Sequence, residues 1–179
     1  MARKFRDGSG ASLKHVSQLT SSIGGKLPLV VGGALAVTGW ATHHDFTRTL
    51  GTDVVRGVVA SGLVTLVIKG STGRARPREF PDDPDMYYPG QGFFNNSLAS
   101  FPSGHTSAAF AGATVLAMEL SKAHPSHSKW ITFGMYGAAT AIGLSRMYEN
   151  EHWASDVFAG AAVGTLSGRW IVRQRNAKP

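Results

Sequence analysis

The feature that most limits how this chain can fold is a series of runs rich in Gly, Ala and aliphatic residues, each about 15 residues long. Charged and imidazole side chains gather at the junctions between the runs. The runs cover residues 27–41, 53–68, 106–120, 131–144 and 157–168. None sustains the polar–apolar alternation of a half-buried strand, so the expected fold is all-α, a bundle of five main helices. Before them, Leu13, Val16, Leu19 and Ile23 share one face of residues 11–23, which reads as a short amphipathic helix closed by Gly24 and Gly25. Two units follow: a peripheral segment at residues 1–26 and a helical domain at 27–179.

A length of 179 residues suits one domain with a full core and is short for two. With no cysteine, a disulfide framework and any thiolate site are excluded, while the compartment stays open. Residues 8–26 are too polar for the apolar core of a secretory signal. The formal charge of +7 suits nucleic acid, anionic lipid or a phosphorylated substrate. The basic residues do not form one tract, which argues against nucleic acid.

Two observations bear on the membrane in opposite directions. The apolar runs fall short of the roughly 20 residues of a typical transmembrane helix, and mean hydropathy is close to zero. Helix alternation, however, sends Arg48, Lys122, Lys129, Arg169, Arg173, Arg175 and Lys178 to the end away from the polar junctions. The acidic stretch of Glu79, Asp82, Asp83 and Asp85 stays with those junctions. That asymmetry is the pattern of a positive-inside membrane protein with an outward-facing site, and Trp40, Trp130, Trp153 and Trp170 could sit at its interfaces or pack in the core. Membrane integration is therefore the expectation, with polar extension or local thinning accommodating short helices.

Three junctions carry the chemistry. Lys69 and Arg76-Pro77 close the second run. Pro102-Ser103-Gly104-His105 opens the third. Ser145-Arg146 ends the fourth, followed by His152 and Asp156. In a helix, His152 and Asp156 would share a face, the carboxylate accepting a proton from one imidazole nitrogen and leaving the other for substrate. Such a histidine can act as nucleophile or base, or the pair can be merely structural. Ser103-Gly104 places a hydroxyl and first-turn amides at a helix N-terminus, a natural anion site. Lys69, Arg76 and Arg146 supply compensating cations, the arginines with bidentate geometry. Residues 77–101, with Pro77, Pro81, Pro84 and Pro89, form a long loop suited to a lid or a substrate-facing surface. His43, His44, His124 and His127 read as loop residues without a catalytic role. No metal-ligating spacing is present, and the residues from Gly70 to Gly73 do not form a P-loop.

Taken together, the stretches KGSTGRARP (69–77), PSGH (102–105) and SRMYENEHWASD (145–156) resemble the type 2 phosphatidic acid phosphatase (PAP2) superfamily, which also holds bacterial non-specific acid phosphatases and vanadium haloperoxidases. The chain departs from the family pattern at none of the principal positions. The resemblance implies that residues 27–179 form a PAP2-like catalytic helical domain. It further implies that His152, oriented by Asp156, attacks phosphorus to form a phosphohistidine, and that His105 protonates the leaving group and then activates water. Lys69, Arg76, Ser103, Gly104 and Arg146 would bind phosphate, with no metal and no cofactor. Arg74 and Arg78 would broaden the positive field or bind the loop.

The expected function is accordingly hydrolysis of a phosphomonoester or diphosphate of a membrane lipid, with the lipid bilayer as partner and no nucleic acid. The expected location is a bacterial cytoplasmic membrane with the site on its extracytoplasmic face. A soluble, periplasmic acid phosphatase, a non-enzymatic phospholipid-binding protein and, remotely, a vanadium haloperoxidase are the alternatives. Neither the lipid nor the oligomeric state is legible.

Overall fold

The computed structural model describes residues 24–177, so the helix expected at residues 11–23 lies outside the described residues. Five α-helices follow in order: α1 (Leu27–Ala41), α2 (Asp45–Thr72), α3 (Gly104–Ala123), α4 (Ser128–Tyr148) and α5 (Ala154–Asn176). The architecture is the expected all-α bundle, and every helix but α1 runs longer than the apolar run that announces it.

Helix α2 shows why. It begins eight residues before the apolar run, at Asp45, because the His44 imidazole caps it by accepting from the Thr47 N–H (3.3 Å). Arg48 pairs with Asp45 on the solvent side at 2.8 Å. The polar residues that seem to interrupt the run fit within the helix: Arg56 is exposed, and the buried Ser61 returns its hydroxyl to the Val58 carbonyl at 2.9 Å. Gly73 then stops the helix in a left-handed conformation, φ 62°, its N–H donating to the Lys69 carbonyl. Lys69 thus lies in the last turn of a helix, at the mouth of the long loop.

Packing fixes the directions of the helices. Thr65 of α2 donates its hydroxyl to Ser107 of α3 at 3.0 Å, and Thr114 of α3 meets Tyr136 of α4 at 2.9 Å. With Asp53 and Glu119 joined by Arg175 at the opposite ends of α2 and α3, and Gly143 of α4 against Thr106 while Ser121 donates to the Ser128 carbonyl at 3.4 Å, α2 and α4 run antiparallel to α3. Helix α5 runs parallel to it, because Gly160, Gly164 and Gly168 lie in succession against Ser103, Ser107 and Ala111. A Cβ at Gly164 would stand 2.2 Å from the Ser107 carbonyl oxygen, so this close approach requires glycine. The core beneath is Leu50, Val54, Val58, Ala111, Val115 and Val172, with a smaller cluster of Ala109, Ala113 and Ala139 between α3 and α4.

The two ends of the bundle differ. One end gathers the C-terminus of α2 and the N-termini of α3 and α5, covered by residues 73–103, which contain two 3-10 turns and an isolated antiparallel bridge between Arg74 and Tyr87. At the other end Arg175 of α5 spans the buried Asp53 of α2 (2.8 Å) and Glu119 of α3 (2.6 Å). Trp40, Trp130 and Trp170 are exposed toward this end. Trp153 lies at the other end, partly buried, donating its indole N–H to the Ala75 carbonyl at 3.0 Å.

The bundle leaves much apolar surface uncovered. Val59, Leu63, Val64, Leu66 and Val67 on α2 are all exposed, as are Phe133, Phe158 and Leu166 on α4 and α5. Among the described residues α2 is the one helix long and apolar enough to cross a membrane. Its 28 residues extend about 42 Å, against a hydrocarbon core of about 30 Å.

Candidate active site

Helix ends bring the three polar junctions together. Ser103 caps α3, its hydroxyl oxygen accepting from the Thr106 N–H (3.4 Å) and hydroxyl (2.9 Å). Its own N–H donates to the Asp156 carbonyl at 2.9 Å, which locks the start of α3 to the first turn of α5. Ser103 is fully buried, yet these contacts use its oxygen as an acceptor and leave its proton available to an anion. At Gly104 an added Cβ would meet nothing closer than Thr65 Cγ2, at 3.8 Å, so no protein neighbour demands glycine there. His105 follows in the first turn of α3. The Gly25 backbone closes over its ring, where a Cβ would stand 2.6 Å from Nε2. Arg146, Lys69 and Arg76 lie near enough to act electrostatically on that imidazole.

The His152–Asp156 pair differs from its expected geometry. His152 precedes α5 instead of lying within it, and its Nδ1 stands 3.6 Å from Asp156 Oδ2. That is ion-pair range and beyond a good hydrogen bond. The carboxylate is already engaged. Oδ2 accepts from the Ser100 hydroxyl at 2.6 Å and the Trp153 N–H at 2.9 Å, and Oδ1 accepts from Arg74 Nη1 at 2.6 Å. His152 Nδ1 is buried without a hydrogen-bond partner. Burial, with Lys69 and Arg76 adding to it against the opposing pull of Asp156, pushes the His152 imidazole down to about 4. The ring is therefore neutral at ordinary pH, as a nucleophile must be.

The cations arrive from three directions. Lys69 Nζ donates to the Ala99 carbonyl at 2.5 Å. Arg76 is buried and held on every nitrogen: Nε by the Asn96 carbonyl (2.8 Å), Nη2 by Asn96 Oδ1 (3.1 Å) and the Ala99 carbonyl (3.2 Å), Nη1 by Glu151 Oε2 (2.6 Å) and the Glu151 carbonyl (3.3 Å). Arg146, also buried, donates to Glu149 at 2.6 Å and lies 3.7 Å from Glu151, while its Nε has no partner. Among the described residues no three His, Asp or Glu side chains converge into a group able to hold a metal ion.

Four residues absent from the sequence-level assignment complete the site. Arg74, read from sequence as a contributor to the field or a loop anchor, is 5% exposed and grips Asp156 directly. It also binds the loop, donating to the Pro84 carbonyl through Nε (3.0 Å) and Nη2 (2.7 Å), and it lies against the rings of Tyr87 and Trp153. Ser100 and Asn96 are loop residues whose roles exist only through contacts distant in sequence. Glu151, bound by Arg76 and Arg78 and near Arg146, carried one available signal: a carboxylate between two motif residues, Arg146 and His152. Burial pushes its carboxyl up, but the three guanidiniums outweigh burial and hold it below the ordinary glutamate value.

A cationic cradle beside a buried neutral imidazole is assembled where helix ends meet in this bundle, and residues 51–179 match the family model of the PAP2 superfamily. The chain belongs to that superfamily. It is 37% identical to lipid phosphate phosphatase 1 of Arabidopsis thaliana over 76% of this chain and 46% of that protein. It is 48% identical to a lipid A 1-phosphatase of Porphyromonas gingivalis over 40% of this chain and 16% of that one. The chain thus spans less than half the length of either relative. The fold is also that of a transmembrane PAP2-type phosphatidylglycerolphosphate phosphatase from Bacillus subtilis, with TM-score 0.71, 20% identity, and coverage of 99% of this chain and 84% of that one. Aquifex aeolicus LpxE gives TM-score 0.62 and 22% identity over 96% and 92% of the two chains.

Proposed function

We propose that this protein is a membrane-associated, metal-independent phosphatase that removes a phosphoryl group from a lipid through a phosphohistidine intermediate. The observation that carries the reading is the junction of Lys69, Arg76 and Arg146 with a neutral, buried His152 beside the fully engaged Asp156. The names of the relatives, lipid phosphate and lipid A phosphatases, point to the same substrate class.

In this mechanism the His152 nitrogen that faces away from Asp156 attacks phosphorus. The N–P bond forms as the bond to the leaving oxygen breaks, and His105, protonated as the bound phosphoryl charge offsets Arg146, Lys69 and Arg76 around it, delivers that proton to the leaving oxygen. Water, deprotonated by His105, then attacks phosphorus, and cleavage of the N–P bond releases inorganic phosphate and restores the imidazole. Lys69, Arg76 and Arg146, with the Ser103 hydroxyl and the Gly104 amide, spread the developing charge over the phosphoryl oxygens. Asp156 stabilises the charge that His152 acquires on phosphorylation, across the 3.6 Å gap.

The exposed apolar faces of α2, α4 and α5 support a bilayer as the surrounding medium. Arg48, Lys122, Lys129 and Arg173, with the exposed Trp40, Trp130 and Trp170, lie toward one end, and the acidic loop lies at the other. This favours an extracytoplasmic site. Because the chain lacks cysteine, single-cysteine variants S126C and D83C test the orientation directly: an impermeant thiol reagent applied to intact cells should label D83C alone.

The decisive assay is inorganic phosphate release from phosphatidic acid, phosphatidylglycerol phosphate, an isoprenyl diphosphate, lipid A and a soluble aryl phosphate, with H152A as control. Release from at least one lipid substrate, abolished in H152A together with the acid-labile enzyme-bound phosphoryl group, is the expected result. Release from the aryl phosphate alone, by protein extracted without detergent, would favour a soluble acid phosphatase. Lipid binding with no release from any substrate would leave a phospholipid-binding protein.

A further inference from the structure

The cradle that the proposed reaction requires already holds an anion belonging to the protein. Glu151 Oε2 accepts from Arg76 Nη1 at 2.6 Å and lies 3.7 Å from Arg146 Nη2, and Oε1 accepts from Arg78 Nη1. A carboxylate offers a guanidinium the same charge and acceptor geometry as two phosphoryl oxygens. Five acceptor contacts meet the three nitrogens of Arg76, and a guanidinium has only five N–H donors in all. Arg76 therefore cannot take a phosphoryl oxygen without giving up a contact.

Those contacts are not equally easy to release. The carbonyls of Asn96, Ala99 and Glu151 belong to the backbone, and Asn96 Oδ1 is a neutral acceptor. The Glu151 carboxylate is the charged competitor, and it sits on a side chain that can rotate while its backbone stays tied through the Glu151 N–H to the Arg146 carbonyl at 3.1 Å. It also has somewhere to go. Arg78, whose side chain is 39% exposed, already holds the other oxygen.

We propose that Glu151 is an internal competitor for the phosphoryl group. It occupies Arg76 in the resting site, passes to Arg78 when phosphate enters, and so sets the affinity of the site for phosphorylated substrate and for the phosphate product. This inference rests on the phosphatase reading for its consequence in turnover, but not for its effect on anion binding. A site whose competent form is a minor fraction binds more weakly by that fraction. If about nine molecules in ten are latched, releasing the latch tightens binding about tenfold. The latch keeps product affinity low and favours release of phosphate after each turnover.

The test uses the full chain in detergent micelles, with inorganic phosphate and orthovanadate as probes and calorimetry as the readout. E151Q keeps the shape and an acceptor but removes the charge, and E151A removes the competitor altogether. Both are expected to bind phosphate several-fold to tenfold more tightly than the native chain and to show stronger product inhibition, with KM lowered more than kcat. Unchanged or weaker phosphate binding in either variant, with thermal unfolding as in the native chain, would show that Glu151 only positions Arg76, and would overturn the proposal. If E151Q unfolds, E151A alone decides by the same readout. Should the native chain bind phosphate yet hydrolyse no ester, the phosphatase reading fails while the binding comparison still judges Glu151.

Discussion

Arg74 is the residue through which the long loop reaches Asp156. It holds Asp156 Oδ1 at 2.6 Å while the loop carbonyl of Pro84 and the rings of Tyr87 and Trp153 fix its own position. Removing it leaves a buried carboxylate short of its cation. R74A is expected to lower kcat by about 10- to 100-fold with a smaller change in KM, as is typical when an orienting partner is lost. R74K should recover part of kcat, and steady-state kinetics on the best lipid substrate separate the two parameters. R78A, at a half-exposed site, should cost much less than R76A. His152 gives a pH prediction. Because burial pushes its imidazole down to about 4, it stays neutral while an unfolded-state histidine, near 6.5, takes up its proton. The unfolded state then binds more protons between those values, so this contribution to stability is full above about 6.5 and is lost as pH falls toward 4. The acid limb of kcat/KM owed to His152 should likewise fall near 4, and an NMR titration of that ring checks the assignment. A midpoint near 6.5 would contradict its burial.

At the scale of elements, the site depends on how closely α5 can lie along α3. Gly160, Gly164 and Gly168 form the contact, and the Ser103 N–H bond to the Asp156 carbonyl extends it into the site. G164V would drive a branched side chain into the Ser107 carbonyl, which lies 2.2 Å from the position of a Cβ. Overpacking of this kind costs about 1–3 kcal/mol. The variant should melt earlier and lose activity together, because separating the two helices displaces His152 and Asp156 from Ser103. A valine at Gly134, where an added Cβ meets nothing within 4 Å, is the matched control and should melt like the native chain.

For the molecule as a whole, the exposed apolar face of α2 and the charged far end make separate predictions. Lysine at Leu63 and Val67, both more than half exposed, would cost about 2.5–3.5 kcal/mol each at the centre of a membrane helix. L63K/V67K should therefore leave the alkali-resistant membrane fraction, whereas two lysines on a water-exposed face would change nothing there. At the far end, R175A would remove the guanidinium that bridges the buried Asp53 and Glu119, leaving Asp53 only Arg56 at 3.7 Å and Glu119 only Lys122 at 3.0 Å. Loss of one partner from a buried ion pair costs on the order of 3 kcal/mol. A lower melting temperature with kcat intact below it is expected, since the network lies at the end opposite the site.

The sequence by itself determined the helices and the chemical vocabulary. Apolar runs have no better way to bury themselves and satisfy their backbone than as packed helices, and the spacing within KGSTGRARP, PSGH and SRMYENEHWASD is local enough to read. It also announced which end would be basic, because alternation of helix direction follows from counting. The tertiary structure alone decided how the charges are matched. Arg74 meets Asp156 across 82 residues and Arg76 meets Glu151 across 75, and no periodicity encodes which carboxylate a buried guanidinium will reach. Donor geometry and burial make that choice after the helices have packed. They turned two neighbouring arginines in one motif into one that holds Asp156 and one whose donors are already met by Glu151 and the loop.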